Sequence, residues 1–555
     1  MIRTGRDSTI ELPLLGATRQ ITVDLAVVVL ATALYTWMAS GLFDWIIDDA
    51  GITFSYARNL AQGHGLVPQP GVEPIEGYSN PLWVLFWTPF FLIGLFDPYI
   101  LPKIVSIVLV FLTYFVLHRL IVRLTESRFA ISLAVLILLS INTSWVAWTS
   151  SGLENPLFAL LIAVLLWLCV MIQSEQAFRP VVWGLVAGLV SGGIALSRPD
   201  GIVYAWLFPL ALVILPATAG IARRLFAAGA YIVGLLATAG VYQAFRLSYF
   251  GEWVPNTYYV KGGPDRQMVA DLLMLTEPYR EKLVQISGSV MGQSVWMVVP
   301  AIIVGMAVWV IARQDNWRPK LLLVGFTITA LGAYLILTLD WMGEYRFATP
   351  FFMLIWVAMV CFTLLVVRSL VTTRGLRTTV GLGLLIVALA LSVIEHQPRR
   401  ERFEAHRVTD FNRVKAAGPD RFNAWNEYFG WEDATLLTPD LGATLFYSDI
   451  RIYDLAGLCD PVIPRKRRWH QQEFYDYVFD SIQPTIINTW GSFTGESKFD
   501  DDPRFLQDYV GVNAHIDEYV KRVYKTERLS GVFIRKDALA GREAKLDSLR
   551  QGLAP

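Results

Sequence analysis

The sequence predicts a polytopic α-helical membrane protein of about eleven transmembrane helices, followed by a C-terminal water-soluble α/β domain. Three observations predict it. The 555 residues are 54% hydrophobic and only 17% charged, where an ordinary soluble chain carries about 25% charge. Of the 47 Lys/Arg and 47 Asp/Glu together, just over half lie after residue 394. Apolar stretches long enough to cross a bilayer, about 20 residues, recur through the first 394 positions. This composition excludes a disordered chain, and the zero net charge gives no hint of nucleic-acid binding.

Eleven spans are expected near residues 25–43, 100–118, 129–147, 156–173, 180–196, 201–220, 225–245, 292–312, 321–339, 350–367 and 378–394. A twelfth apolar run, 81–96, is shorter and carries Pro89 at its middle, so it is read as interfacial or re-entrant. The basic loops support this count. With the N-terminus and its Arg3, Arg6 and Arg19 cytoplasmic, Arg119/Arg123/Arg128, Arg179, Arg223/Arg224, Arg313/Arg318/Lys320 and Arg368/Arg374/Arg377 fall on the same side. That satisfies the positive-inside rule; a spanning 81–96 breaks it. No cleavable signal peptide is expected, because residues 1–20 are polar and no small-residue cleavage site follows the first apolar run.

The same topology collects the polar loops on the opposite side, at 44–99, 148–155, 197–200, 251–291 and 340–349. They hold most of the Asp, Glu and Asn of the first 394 residues, which points to a site at the external membrane surface. After residue 394 a charged helical stretch, 401–429, precedes short apolar runs at 434–438, 451–455, 484–490 and 531–535, the pattern of strands in a small α/β or α+β domain. Arg465 to Arg468 form a basic cluster, read as a solvated or headgroup-facing surface.

Within the first external loop, Asp48 and Asp49 precede a helical apolar pattern through Ile52, Phe54, Tyr56, Ala57 and Leu60, and Gly63 follows at a C-cap position. Two adjacent carboxylates at a membrane edge are functional candidates; the bland reading makes them N-caps. His64 is a candidate proton shuttle or a structural loop histidine. Arg198 and Asp200 either close a turn as an ion pair or leave the guanidinium to grip a phosphate. Residues 251–263 combine aromatics, suited to sugar stacking or an interfacial belt, with Lys261; residues 340–347 place Asp340, Glu344 and Arg346 at a span end. Cys169 and Cys361 sit in apolar runs and Cys459 is alone, so no disulfide framework or Cys-based zinc site is available. No Walker loop or serine-nucleophile elbow is present. Carboxylates and cations beside a bilayer suit transfer of a sugar from a lipid phosphate, with the phosphate held by Arg/Lys and a carboxylate activating the acceptor hydroxyl.

These motifs resemble those of GT-C glycosyltransferases, most closely the mycobacterial-type terminal (β-1,2) arabinofuranosyltransferases. The resemblance runs through Asp48-Asp49-Ala50 and Tyr56-Ala57-Arg58-Asn59-Leu60, Gly63-x-Gly65-Leu66-Val67, Pro70-Gly71 and Glu76-Gly77-Tyr78-Ser79-Asn80. It continues, in order, with Ser151-Gly152-Leu153-Glu154, Arg198-Pro199-Asp200-Gly201, Pro255-Asn256-Thr257-Tyr258-Tyr259-x-Lys261, Asp340-Trp341-Met342 with Arg346-Phe347, and Asp454-Leu455-Ala456-Gly457-Leu458. Glu344-Tyr345 before Arg346 departs from the more Gly-rich pattern of the family.

The resemblance implies a GT-C catalytic domain over 1–394, with its first external loop at 44–99, and a periplasmic, candidate carbohydrate-binding domain over 395–555. It implies a bacterial inner-membrane enzyme with a cytoplasmic N-terminus. The donor is a polyprenyl-phosphate sugar, with decaprenyl-phosphate arabinofuranose the first choice; the acceptor is a cell-envelope glycan such as arabinan. The catalytic carboxylate is Asp48 or Asp49, and Arg58, Arg198, Lys261 and Arg346 are donor-phosphate residues. His64, Glu76, Tyr78, Asn80, Glu154, Asp200, Asn256, Tyr258, Tyr259, Asp340, Trp341 and Glu344 are sugar or acceptor contacts. No organic cofactor is called for, and a divalent cation remains an open addition. Alternatives are a mannosyl- or aminoarabinosyltransferase of the same fold, or a lipid-linked-sugar transporter or flippase.

Overall fold

The computed structural model describes residues 13–125, 129–173, 179–216, 219–262, 266–312, 317–337, 340–467 and 470–552. Among them are seven helices long and apolar enough to cross a membrane: Thr22–Leu42, Ile100–Thr125, Pro180–Ser197, Ile221–Tyr249, Trp317–Ile336, Arg346–Leu370 and Arg374–Ala405. Two bent pairs raise the number to nine, Ala130–Ile141 with Thr143–Thr149 and Glu277–Met291 with Gln293–Trp309. The two remaining expected spans fall on Asn155–Met171 and Pro199–Val213, which are shorter apolar helices. Hydropathy alone does not register the break after Ile141, because the residues on either side of it stay apolar, whereas the other bent pair joins the polar helix Glu277–Met291 to an apolar one. Pro81–Leu92 is a 12-residue helix. It rises about 18 Å, too short to cross a hydrocarbon core of about 30 Å.

The breaks have local causes. Asn142, in extended conformation, accepts a hydrogen bond from the Trp145 amide at 2.9 Å and so caps a new helix at a 73° bend. Gly292, at φ 118°, turns the chain by 110°. His396 stitches both bends: its Nδ1 accepts from the Thr143 amide at 3.2 Å, and its Nε2 lies 3.2 Å from the Val290 carbonyl. Close packing orders the other side of the bundle. A Cβ on Gly184 or Gly188 would meet a backbone oxygen of Ala227 or Tyr231 at 2.2 or 2.1 Å, so Pro180–Ser197 lies directly on Ile221–Leu235.

The C-terminal region forms a mixed sheet of β1 (Thr435–Thr438), β2 (Arg451–Asp454), β3 (Ile486–Thr489), β4 (Tyr509–Gly511), β5 (His515–Ile516) and β6 (Leu529–Arg535). Its order is β2-β1-β3-β6-β4, with β5 pairing β6. β1 runs parallel to β2 and β3, whereas β6 is antiparallel to β3 and β4. All four apolar runs read as strands are strands; β4 and β5, three and two residues long, carry too few side chains to show an alternation. The 401–429 stretch is helical but interrupted after Ala405, and the break pairs Asp410 with Ile47 of the first loop. The sheet domain thus packs onto the helical body through one continuous apolar cluster that includes Trp45, Phe54, Phe411 and Leu436.

Candidate active site

The five polar loops converge on one cavity of about 470 Å³. Asp49 and Thr53 come from the first loop, Glu154 from the second and Arg198 and Asp200 from the third. Tyr258 and Lys261 come from the fourth, Arg346 and Phe347 from the fifth, and Leu458 from the C-terminal domain. One wall is apolar, formed by Ile202, Val203, Ala333, Ile336 and Leu337.

The two adjacent aspartates separate here. Asp49 occupies the N-cap position of Ala50–Ala61 but makes no capping bond. Its side chain is 32% exposed and lies 3.6 Å from Arg346 Nη1. Asp48 is 4% exposed and does not line the cavity. Its carboxylate accepts hydrogen bonds from the amides of Gly442 at 2.9 Å and Ala443 at 2.7 Å, capping the helix Gly442–Tyr447 far away in the chain. Burial pushes the Asp48 carboxyl up to about 8, while the two amides pull it down. Arg58, expected at the donor phosphate, closes the other end of that helix: it donates to the carbonyls of Phe446 at 2.6 Å and Leu445 at 3.2 Å and stacks on the Phe446 ring. An acid at the N-terminus and a base at the C-terminus complement the helix dipole. The approach requires two glycines: a Cβ on Gly442 would meet the Asp48 carbonyl oxygen at 1.7 Å, and one on Gly51 would meet Gly442 at 2.5 Å.

Arg198, Lys261 and Arg346 do face the cavity. Arg198 is held by Asp200 at 3.0 Å and Glu154 at 3.4 Å. Arg346 is held by Asp340 at 2.9 Å. Both guanidiniums lie over the ring of Phe347, at 4.7 and 4.6 Å from its centroid. Phe347 is a site residue that the sequence reading did not select; its signal was only its place after Arg346. Lys261 makes no hydrogen bond or ion pair among the described residues. Surrounding protein and the charges of Arg346 and Arg198 pull its pKa down, and Asp49 and Asp340 push it up.

Of the other expected contacts, Tyr78, Asn80, Glu154, Asp200 and Tyr258 line the cavity. Asn80 donates to Glu154 at 2.8 Å and exchanges hydrogen bonds with Thr53. The rest sit elsewhere. His64 is exposed, away from the cavity lining. Glu76 is buried against Arg246 and Tyr242, tying the first loop to Val241–Tyr249. The Asn256 amide reaches the carbonyls of Gly457, Leu458 and Asp460, and so anchors the C-terminal domain to the fourth loop. Tyr259 hydrogen-bonds Glu252 and lies beneath Arg465, which also pairs with Glu252 at 2.6 Å. Trp341 is 70% exposed. Asp340 and Glu344 line a different, polar cavity. The basic cluster is likewise engaged, Lys466 with Glu473 and Arg467 with Glu496; Arg468 lies outside the described residues.

No group of three or more His, Cys, Asp or Glu suited to a metal ion occurs among the described residues. The carboxylates nearest the cavity, Asp49, Glu154, Asp200 and Asp340, each face an arginine instead. This donor set does not fit a divalent cation.

A helical membrane body carrying its polar loops at one end, beneath a sheet-containing C-terminal domain, is the GT-C fold. Solved structures share it at low identity. The Archaeoglobus fulgidus oligosaccharyltransferase tethered to an acceptor peptide superposes with TM-score 0.53 at 11% identity, over 92% of this chain and 74% of that one. The same enzyme in complex with Zn and sulfate gives 0.52 at 12% identity, over 83% and 67%. ArnT from Cupriavidus metallidurans in the apo state gives 0.53 at 12%, over 94% of this chain and 99% of that one. Residues 415–534 match a family described as a domain of unknown function (DUF8728). No curated protein matches the sequence.

Proposed function

We propose that this protein is a membrane glycosyltransferase that moves a sugar from a polyprenyl-phosphate donor to a cell-envelope glycan. In this reading the donor is decaprenyl-phosphate arabinofuranose and the acceptor is arabinan. The N-terminus is cytoplasmic; the cavity and residues 395–555 are periplasmic, and residues 1–394 form the catalytic body. The observation that carries the reading is the cavity in which the Asp49 carboxylate stands 3.6 Å from Arg346, with Arg198 and Lys261 in the same lining and an apolar wall beside them.

Asp49 is the general base. It takes the proton of the acceptor hydroxyl as that oxygen bonds to the anomeric carbon. The bond from that carbon to the donor phosphate oxygen breaks, and its electron pair leaves with the polyprenyl phosphate. Arg346, Arg198 and Lys261 stabilise the charge that accumulates there. The apolar wall suits the first isoprene units of the donor. Tyr78, Asn80, Glu154, Asp200 and Tyr258 surround the sugar. Asp48 and Arg58 hold the loop rather than touch substrate.

The test is transfer of radiolabelled sugar from the polyprenyl-phosphate donor by purified protein. Full activity in the Asp48→Ala/Asp49→Ala double variant overturns the mechanism. A second donor, aminoarabinose, is favoured by the superposition of 94% of this chain on nearly all of ArnT. Competition between the two polyprenyl-phosphate sugars in the same assay separates the readings.

A further inference from the structure

A second cavity, of about 580 Å³, lies behind the fifth loop and is unlike the first in chemistry. Its lining includes Asp340, Glu344, Glu395, Arg399, Arg402 and Gln285. Arg399 is already neutralised, by Glu344 at 2.5 Å and Glu395 at 3.5 Å. Three carboxylates against two guanidiniums offer nothing to a phosphate or another anion. Carboxylates, side-chain amides and the rings of Tyr334 and Tyr345 are the groups that hold an uncharged polyhydroxylated ligand.

The two cavities share a wall. Asp340 faces the second cavity and Arg346 the first, and the two are paired at 2.9 Å. Arg346 in turn reaches Asp49. The loop forming this wall is strained: Gly343, Glu344 and Tyr345 have φ of 72°, 44° and 51° in succession. Left-handed backbone at two consecutive non-glycine residues costs energy and persists only where the surroundings impose it. Here Arg399 imposes it, pairing with Glu344 and lying 5.4 Å from the centroid of the Tyr345 ring. In this conformation Glu344 and Tyr345 both line the second cavity.

We propose that this second cavity binds the glycan acceptor, and that the acceptor's hydroxyls, by engaging Asp340, release Arg346 to the donor phosphate. This rests on the proposed function and extends it to a coupling between sites. Asp340 partly neutralises Arg346, so a ligand that takes over Asp340 leaves the guanidinium more of its charge for a phosphate and strengthens phosphate binding. By linkage, phosphate then strengthens acceptor binding equally.

Two variants at the far side of the cavity test this, Arg402→Ala and Gln285→Trp; neither residue lines the first cavity. With a synthetic arabinofuranosyl oligosaccharide as acceptor, each is expected to raise the acceptor KM roughly tenfold and to leave the donor KM within twofold. Polyprenyl phosphate binding, followed by native mass spectrometry, is expected to tighten at least fivefold when wild-type protein is saturated with the oligosaccharide. In Asp340→Asn it is expected to be tight with or without the oligosaccharide. Wild-type protein that transfers no sugar overturns the proposed function. Wild-type protein that transfers sugar, with both variants at unchanged acceptor KM or with no acceptor effect on phosphate binding, overturns this inference alone. Occupation of the cavity by phospholipid headgroups in place of the oligosaccharide overturns it as well.

Discussion

The two sides of the helix Ala50–Ala61 differ sharply in their partners. On one side Asp49 opens into a cavity with three cations in its lining. On the other, one residue away, Asp48 is welded to the C-terminal domain by two backbone amides, and Arg58 grips the opposite end of the same short helix. Identical side chains at consecutive positions thus do different work. What separates them is the partner opposite each: a backbone amide consumes a carboxylate, whereas a solvent-accessible cavity leaves it available to take a proton. The C-terminal domain is therefore part of the active site's support, because it fixes the residue immediately before the proposed base.

This contrast can be broken from either side. The largest effect is expected from Asp49→Asn, which removes the base and leaves its volume: transfer should fall roughly a hundred- to ten-thousand-fold, with the thermal unfolding midpoint nearly unchanged. Equal loss of stability and activity in that variant would erase the distinction between the two aspartates. Lys261→Ala removes a cation that makes no direct ion pair among the described residues, though Asp49 and Asp340 lie in its field. Phosphate binding is expected to weaken by about 1.5–3 kcal/mol, the worth of a charged hydrogen bond. Titration with the unsubstituted polyprenyl phosphate measures it.

On the welded side, Asp48→Ala strands the amides of Gly442 and Ala443, at about 1–3 kcal/mol for each buried donor left without an acceptor. Gly442→Ala attacks the same joint sterically. Both should lower the unfolding midpoint and raise proteolysis within 406–450, measured by limited trypsin digestion of the detergent-solubilised chain. Arg58→Ala should show the same signature more weakly, since carbonyls at a helix end accept water more readily than buried amides find another acceptor. The smallest effects are expected at His64 and Trp341: alanine at either should change stability by no more than about 0.5 kcal/mol and transfer by less than threefold. A large catalytic loss at His64 would reinstate the proton shuttle that the sequence alone permits.

Much of the architecture was legible beforehand. Each of the eleven apolar stretches contains helix among the described residues, and four of the six strands sit where short apolar runs predicted them, because hydropathy and alternation report burial directly. The convergence of five loops was also legible, since loops sorted to one side by charge must meet over one end of the bundle. The bends at Asn142 and Gly292 were not. His396, which joins them, reads in sequence as a lone histidine at the end of an apolar run. Nor was the division of the polar residues. Glu76, Asn256 and Arg58 look like ligand-binding side chains, and each is consumed by a contact with a residue more than 160 positions away.

By itself, then, the sequence determined the class of fold, the set of loops that build the site and the kinds of side chain available there. Those properties follow from local composition, which a membrane reads segment by segment. Tertiary structure alone decided which carboxylate faces the cavity, which cations line it, and that a second, polar cavity stands behind the strained loop. The reason is physical: a charged side chain's role depends on what lies within about 4 Å of it, and for Asp48, Arg58 and Glu76 those neighbours come from distant parts of the sequence.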